Sequence, residues 1–561
     1  MTDARRWRRT ALAVALAIVA GGASGITDGK SPPAVAPTGY LTKSFSGPPG
    51  DPVQHQYALL VPRSYTPDRP WPLLLALHGA FSNHVENLQR VLGGKDLQSS
   101  QVDAPMLVLS PLGGGELMAY DGLGEEDVLG ALAAVRRDYN VDADRIYLTG
   151  LSMGGGGTWT IGLHHPDLFA ALVVVCGVVD PRQWIPEADR ALYDLPAMER
   201  AIPTAIAENA VNQRVFIYHG DADPVVPVSD ARQMVERFRS LGWLNKSVSY
   251  FELPGVAHNA WDIAYHGDNV FHLLADVRRD PFPEHVWFKT ASLHYQNAYW
   301  ARIDRIDSGT ALAELDARQH DGAFVVRLAN ASGFSLLLPA AAIAPAKVVT
   351  VQVQDGPGGN GGTLVFNGPA GEGAFSFARD GGHWHRVAAP VSGAPPAHAA
   401  VGLASRSLPR QGLHVYVYGT DCPPATMQAA KHLADALADW GPGVRARFTV
   451  VADRDVTAQM RRQFHLVLIG DRKINRLTRE LAARAPLPVA ADAAQGDRSY
   501  RLVVQNALFP GKHALIFGAQ SPTALGHLWR FARHNKDAWA PAPNLDYIQF
   551  NAAGTVEETR Y

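Results

Sequence analysis

Cysteine is nearly absent. Cys176 and Cys422 are the only two among 561 residues. Two thiols so far apart cannot staple a small scaffold, and no Cys/His spacing of the kind that holds zinc accompanies them. Both are read as unpaired, on or just after apolar strands, Cys176 buried beside a sheet. Charge of one sign is lacking too: 51 Lys and Arg face 53 Asp and Glu, a formal net charge of −2. There is no basic surplus to meet nucleic-acid phosphates and no acidic tail. A Gly-rich nucleotide fingerprint is missing. Beyond the first 25 residues no apolar run is long enough to cross a bilayer. His383-Trp384-His385 is the nearest approach to a metal-ligand pair, and a strand with exposed polar residues accounts for it better. No cofactor, no metal, no nucleic acid and no membrane contact beyond export are therefore expected.

What is present starts with length. A chain of 561 residues is too long for one domain, and at ~150 residues each it should hold three or four. Arg5-Arg6-Trp7-Arg8-Arg9 is a basic head, Thr10 to Ala20 an apolar stretch, and Gly21 to Gly25 a run of small residues. This is the layout of a secretory signal peptide over residues 1–25, by the general or the twin-arginine route. A periplasmic or secreted location is expected.

The most informative stretch is Gly150-Leu151-Ser152-Met153-Gly154. It has the Gly-x-Ser-x-Gly pattern of a nucleophile elbow. An apolar run, Ile146-Tyr147-Leu148, precedes it and a helical-looking segment, Thr158 to His164, follows, which is the context the motif needs. Partners for the serine should come later in the order acid, then histidine. After the apolar strand Val215 to Tyr218 stands His219-Gly220-Asp221-Ala222-Asp223; after Tyr250 to Leu253 stands the loop bearing His258. His258 can take the Ser152 proton while an aspartate orients its other nitrogen. Spacing alone allows Asp221 or Asp223. Two backbone N–H groups should form the oxyanion hole: Met153, after the nucleophile, and Ala80, in the turn His78-Gly79-Ala80 that ends the apolar run Trp71 to Leu77.

Residues from about 55 to 275 resemble the prolyl-oligopeptidase-like and feruloyl-esterase-like branch of the α/β-hydrolases. The likeness rests on Tyr57-Ala58-Leu59-Leu60-Val61-Pro62, Leu77-His78-Gly79, Gly124-Glu125-Glu126-Asp127-Val128, Asp144 to Gly150, Ser152-Met153-Gly154-Gly155 and Pro166 to Ala171. In that branch the acid lies in His-Gly-x-x-Asp-x-x-Val-Pro, so the resemblance selects Asp223. The chain departs from true prolyl oligopeptidases in showing no long run of repeated strands before the elbow. An open, esterase-type site is therefore expected.

Prolines at Asp280-Pro281-Phe282-Pro283 mark one boundary, and Ala394-Pro395-Pro396-Ala397 a second linker. Between them short apolar runs alternate with turn residues, as in a small β-sandwich. Its aromatics, such as Tyr295, Tyr299 and Trp300, are either core or a sugar-stacking face, core being the commoner role. After the second linker, strands such as Leu413 to Tyr418 and His465 to Gly470 alternate with helices, which implies a small parallel α/β domain. The expected organisation is an α/β-hydrolase catalytic domain over 40–280, a sandwich-like β-rich domain over 284–392 and a small α/β domain over 408–550. It is similar in arrangement to large secreted peptidases and esterases of bacteria. Residues 178 to 210 are the expected lid or pocket wall, with Trp184, Ile185, Tyr193 and Met198 either lining it or simply packing.

The sequence thus points to a Ser152-Asp223-His258 serine hydrolase, with an ester, free or polymer-linked, as expected substrate. A serine peptidase of prolyl-oligopeptidase type shares the machinery. A binding protein on a retired hydrolase fold is the competing class, and the complete set of catalytic positions weighs against it.

Overall fold

The computed structural model describes residues 37–47, 54–99, 102–115, 122–184, 199–308, 311–320, 323–339, 348–355, 362–367, 373–388, 414–438, 449–485, 492–505, 513–534 and 547–560, with a few single residues between. The expected signal peptide, Ile185, Tyr193 and Met198 lie outside them.

An eight-stranded sheet carries the first unit. Its strands are β1 (Gly39–Ser46), β2 (Gln54–Val61), β3 (Trp71–Leu77), β4 (Leu107–Pro111), β5 (Val141–Leu151), β6 (Ala171–Val175), β7 (Arg214–Gly220) and β8 (Val248–Leu253). They lie in the order β1-β2-β4-β3-β5-β6-β7-β8. Strands β3 to β8 are mutually parallel, and β2 runs antiparallel to both β1 and β4. Every residue of β3 is buried, because successive side chains enter opposite cores. Leu73, Leu75 and Leu77 pack in one, Leu74 and Ala76 in the other. Helix α1 (His84–Val91) follows β3, its start fixed by the Asn83 side chain, which accepts from the Val85 and Glu86 N–H groups. Helix α2 (Leu123–Asp138) precedes β5, α3 (Met153–His164) follows it, and α4 (Val228–Ser240) lies between β7 and β8. The connections leave the parallel strands at their carboxyl ends on one edge of the sheet, where open α/β sheets build sites.

The second unit is a sandwich of two five-stranded sheets. One orders β10 (Asn297–Ala298), β11 (Ala301–Ile306), β14 (Ala331–Leu337), β17 (Ala374–Asp380) and β18 (His383–Val387). The other orders β16 (Gly362–Asn367), β15 (Val348–Asp355), β13 (Ala323–Ala329), β12 (Ala313–His320) and β9 (His285–Thr290). Trp300 and Tyr295 belong to its buried core and Tyr299 packs against it, so these aromatics form no sugar-stacking face. His383 and His385 are exposed on β18 while Trp384 between them is buried, as a strand with polar outer positions requires.

The third unit has a seven-stranded sheet in the order β20 (Thr449–Ala452), β19 (His414–Tyr418), β21 (His465–Ile469), β23 (His513–Gly518), β22 (Ser499–Gln505), β24 (Tyr547–Phe550) and β25 (Val556–Arg560). Only the first four are parallel; β22, β24 and β25 extend the sheet antiparallel. The small parallel α/β unit expected from the sequence is thus present in these four strands, and the antiparallel strands make the whole sheet a mixed one. Strand β22 pairs with β23 across a short connection, which only an antiparallel pair permits.

The first two units share buried polar contacts. Glu208 pairs with Arg237 of α4 and with Lys289 of β9. Glu125 accepts from the Tyr295 hydroxyl at 2.5 Å and faces His165 Nε2 at 2.6 Å. Burial alone would raise the Glu125 carboxyl, but the His165 hydrogen bond and the charges of His165, His294 and His164 outweigh it and bring it down to about 2.

Candidate active site

Strand β5 ends at Leu151 and α3 begins at Met153, so Ser152 is the whole turn between them. Its backbone has φ 56°, a left-handed conformation that a serine adopts at a cost. The Ser152 N–H donates to the Val175 carbonyl at 2.9 Å, and its own carbonyl accepts from Gly156 N–H at 3.0 Å. The helix starts earlier than the helical pattern from Thr158 implies and includes Gly154 to Gly157. A Cβ at Gly154 would overlap the Leu77 carbonyl, so these glycines serve close approach of helix and sheet rather than flexibility.

The loop after β7 brings in the Asp223 side chain fully buried. Its Oδ1 accepts from Val225 and Val226 N–H at 2.8 and 3.0 Å, which leaves Oδ2 aimed at His258 Nδ1, 2.7 Å away. His258 Nε2 lies 2.9 Å from Ser152 Oγ. Asp221 does something else: its Oδ1 accepts from Gly255 N–H at 2.6 Å, tying the acid loop to the loop that carries His258. Of the two aspartates that spacing allowed, the structure sets Asp223 against the histidine.

Two further side chains steady His258. The Trp261 ring meets its ring edge-on with centroids 5.4 Å apart. The Cys176 thiol points at the His258 carbonyl, 3.4 Å away. Cys176 and Cys422 are both free. Cys176 Sγ, an Asp223 oxygen and a His258 nitrogen lie within 4.8 Å of one another, the only grouping of that kind among the described residues. Burial pushes the Cys176 thiol well up. A thiol kept protonated is a poor metal ligand, and the Asp223 and His258 atoms already serve each other.

Opposite the serine, Gly79 lies in the turn just after β3, against the elbow. A Cβ there would sit 2.8 Å from Leu151 Cδ1 and 3.5 Å from Ser152 Cβ. The peptide joining Gly79 to Ala80 is pinned through its carbonyl, which faces His78 Nδ1 at 2.8 Å and accepts from Ser82 N–H at 3.3 Å. The N–H of that same peptide belongs to Ala80. The ring of His78 also faces the Leu112 carbonyl at 2.9 Å, and the Tyr120 hydroxyl donates to the His78 carbonyl at 3.1 Å. Met153 opens α3, where an N–H has no intrahelical acceptor. Sequence reasoning missed the supporting roles of His78, Tyr120, Asp221 and Cys176. Only His78 had a usable signal, its place directly before the turn glycine.

Chemically, the chain Asp223–His258–Ser152 can lift a proton from a hydroxyl and hold the resulting imidazolium, the requirement for nucleophilic attack by serine. Residues 123–276 match the prolyl oligopeptidase family. No curated protein sequence matches the chain. Among solved structures it is similar to a thermostable esterase, at 27% identity over 43% of this chain and 63% of that one, TM-score 0.33. It is also similar to a ferulic acid esterase, at 20% identity over 43% of this chain and 97% of that one, TM-score 0.33. An acylaminoacyl peptidase in complex with Z-Gly-Gly-Phe-chloromethyl ketone is similar at 17% identity over 43% of this chain and 41% of that one, TM-score 0.33. The chain thus spans less than two thirds of the length of the thermostable esterase. The likeness to the prolyl oligopeptidase family is thus carried by residues 123–276, the stretch that holds Ser152, Asp223 and His258.

Proposed function

We propose that the protein is an exported serine hydrolase that cleaves carboxylic esters through an acyl-enzyme. The observation that carries this reading is the linear relay Ser152 Oγ to His258 Nε2 at 2.9 Å and His258 Nδ1 to Asp223 Oδ2 at 2.7 Å. In the proposed cycle Ser152 Oγ attacks the ester carbonyl and its proton passes to His258 Nε2. The oxyanion is met by the Ala80 and Met153 N–H groups. The tetrahedral intermediate collapses, and the departing alcohol takes the proton from His258. A water then gives its proton to His258, adds to the acyl carbon and frees the acid and Ser152.

The ester reading is supported by the openness of the site. Ala80 is exposed, and Ser152 and Met153 are half-buried. An ester with a good leaving group needs little beyond the relay and the two donors. A peptide needs an extended groove to hold its backbone on both sides of the scissile bond. The family match supports a serine peptidase as the second reading. The sandwich and the mixed α/β unit supply no residue to the relay, and their proposed role is to present or bind a polymer-linked substrate. Export rests on the basic and apolar N-terminus.

The test is a panel: acyl p-nitrophenyl esters, feruloyl and acetyl sugar esters, and prolyl peptides, run beside fluorophosphonate labelling. Label on Ser152 with turnover of esters and not peptides is expected. Label with peptide turnover alone establishes the second reading, and absence of both label and turnover refutes the hydrolase.

A further inference from the structure

Three large apolar side chains stand out in solvent among the described residues: Phe81 at 79% exposed, Val225 at 53% and Ile263 at 43%. Single exposed apolar residues need no explanation, but the placement of these does. Phe81 directly follows Ala80 in the turn packed against Ser152. Val225 donates its N–H to Asp223. Ile263 sits on the short helix α5 (Trp261–Ala264) that leaves the His258 loop. They belong to the turn after β3, the Asp223 loop and the His258 segment, three of the four segments that, with the Ser152 elbow, make up the site.

Phe81 is the most telling. Its φ is 62°, a conformation unfavourable for a bulky aromatic residue and natural for Gly or Asn. Its ring is in water, so no core contact repays the strain. Strain kept at an exposed aromatic beside a reacting centre is explained by a contact made only when substrate is bound. The reaction geometry says which part of the substrate. His258 Nε2 must reach the leaving oxygen, so the alcohol lies on the His258 side, near Ile263 and Val225. The acyl substituent is left to face the oxyanion turn.

We propose that Phe81 is a specificity-determining residue that contacts the acyl group of the substrate and favours apolar acyl chains longer than acetyl. This rests on the serine-hydrolase reading above and adds the substrate class to it.

The experiment holds the leaving group fixed and varies the acyl chain: p-nitrophenyl acetate, butyrate and hexanoate. Wild type is compared with Phe81→Gly and Phe81→Asn, which suit a positive φ but lack the ring, and with Phe81→Trp, which restores one. Loss of an apolar contact in a binding site is worth about tenfold or more in discrimination. The hexanoate-to-acetate ratio of kcat/KM should therefore fall about tenfold in the Gly and Asn variants and be largely retained in Trp. The melting temperatures of the Gly and Asn variants should be equal to or above wild type, because strain is relieved. An unchanged ratio, or an equal loss on all three esters, overturns the assignment. Wild-type protein that takes no fluorophosphonate and cleaves no ester defeats the hydrolase reading itself. Labelled wild type with an unchanged ratio in the variants defeats only the role of Phe81.

Discussion

Cutting the chain after Asp280 should cost stability rather than chemistry. The relay and both proposed oxyanion donors lie in the first unit, but that unit does not close its own surface. Removing β9 and the turn after it takes Lys289 from the buried carboxylate of Glu208, and the Tyr295 hydroxyl from Glu125. It also strips Asn209 of two bonds, one to the Lys289 carbonyl at 3.0 Å and one from its N–H at 2.7 Å. Asn212 loses the His285 carbonyl at 2.7 Å. At roughly 1.5–3 kcal/mol for each bond to a charged group and about 1 for each neutral one, the loss is about 6–9 kcal/mol. A domain has only ~5–15 kcal/mol in all, so the truncated unit should be marginal or unfolded. Point variants separate the contacts from the cut. Lys289→Met and Tyr295→Phe should each lower stability by about 1.5–3 kcal/mol in urea unfolding. Both should keep kcat on p-nitrophenyl acetate, since neither touches the relay. Truncated protein as stable as the full chain would refute the bookkeeping. A folded truncation that takes no fluorophosphonate would show instead that a later residue completes the site.

Ser152→Ala should leave the circular dichroism spectrum intact and remove ester turnover by about four orders of magnitude or more; retention of most activity would place the nucleophile elsewhere. Asp223→Asn should cut kcat by about 10⁴ through loss of histidine orientation, whereas Asp221→Asn should lower it far less, acting only through the loop tie to Gly255; equal losses in the two variants would contradict the geometry. The Glu125–His165 pair should stabilise the fold over a definite pH window. Glu125 lies below its ordinary value of 4.5, at about 2, so its contribution is complete above pH 4.5 and fades as pH falls toward 2. His165 is raised above 6.5 by the Glu125 hydrogen bond and charge, against the effect of burial, so its contribution is complete below pH 6.5 and fades as pH rises through the raised value. The melting-temperature gap between wild type and Glu125→Gln should therefore be widest between pH 4.5 and 6.5, and a gap independent of pH would show the pair to be uncharged.

The first unit was legible because its strands are continuous apolar runs covered on both faces, and because the motif order along the chain follows the order of strand ends. Trp71 to Leu77 and Val215 to Tyr218 announced strands in this way. The choice of Asp223 over Asp221 was not legible from spacing, since both follow β7 by a few residues. It took a family likeness to name Asp223. The reason is visible only in three dimensions: the Val225 and Val226 N–H groups turn the Asp223 carboxylate toward His258, while Gly255 captures Asp221. Strands β22, β24 and β25 went unread because β22 carries the polar residues Ser499, Arg501 and Gln505 and β24 is only four residues long. Neither looks like a buried parallel strand. The buried carboxylates Glu125 and Glu208 went unread as well, because their partners are supplied from 40 and 170 residues away for Glu125 and from 29 and 81 for Glu208.

The precision of the site comes from how little room the loops leave one another. A Cβ at Gly79 would press on Leu151 and Ser152, one at Gly154 would overlap the Leu77 carbonyl, and one at Gly220 would overlap the Val256 carbonyl. The elbow helix meets the end of β3, and the acid loop the histidine loop, backbone to backbone, while the turn at Gly79 packs directly on Leu151 and Ser152. Each functional atom is then fixed by groups that do no chemistry. His78 and Ser82 hold the Ala80 peptide by its carbonyl, Val225 and Val226 hold Asp223, and Cys176 and Trp261 hold the His258 loop. A reaction that depends on preorganised donors gains most from this arrangement, because nothing has to reorient as charge develops on the substrate oxygen. The same rigidity explains where variation is left. With the backbone closed around Ser152, substrate preference has to be carried by side chains that point outward from these loops, and Phe81, held at a positive φ, is the most exposed of the large apolar ones among the described residues.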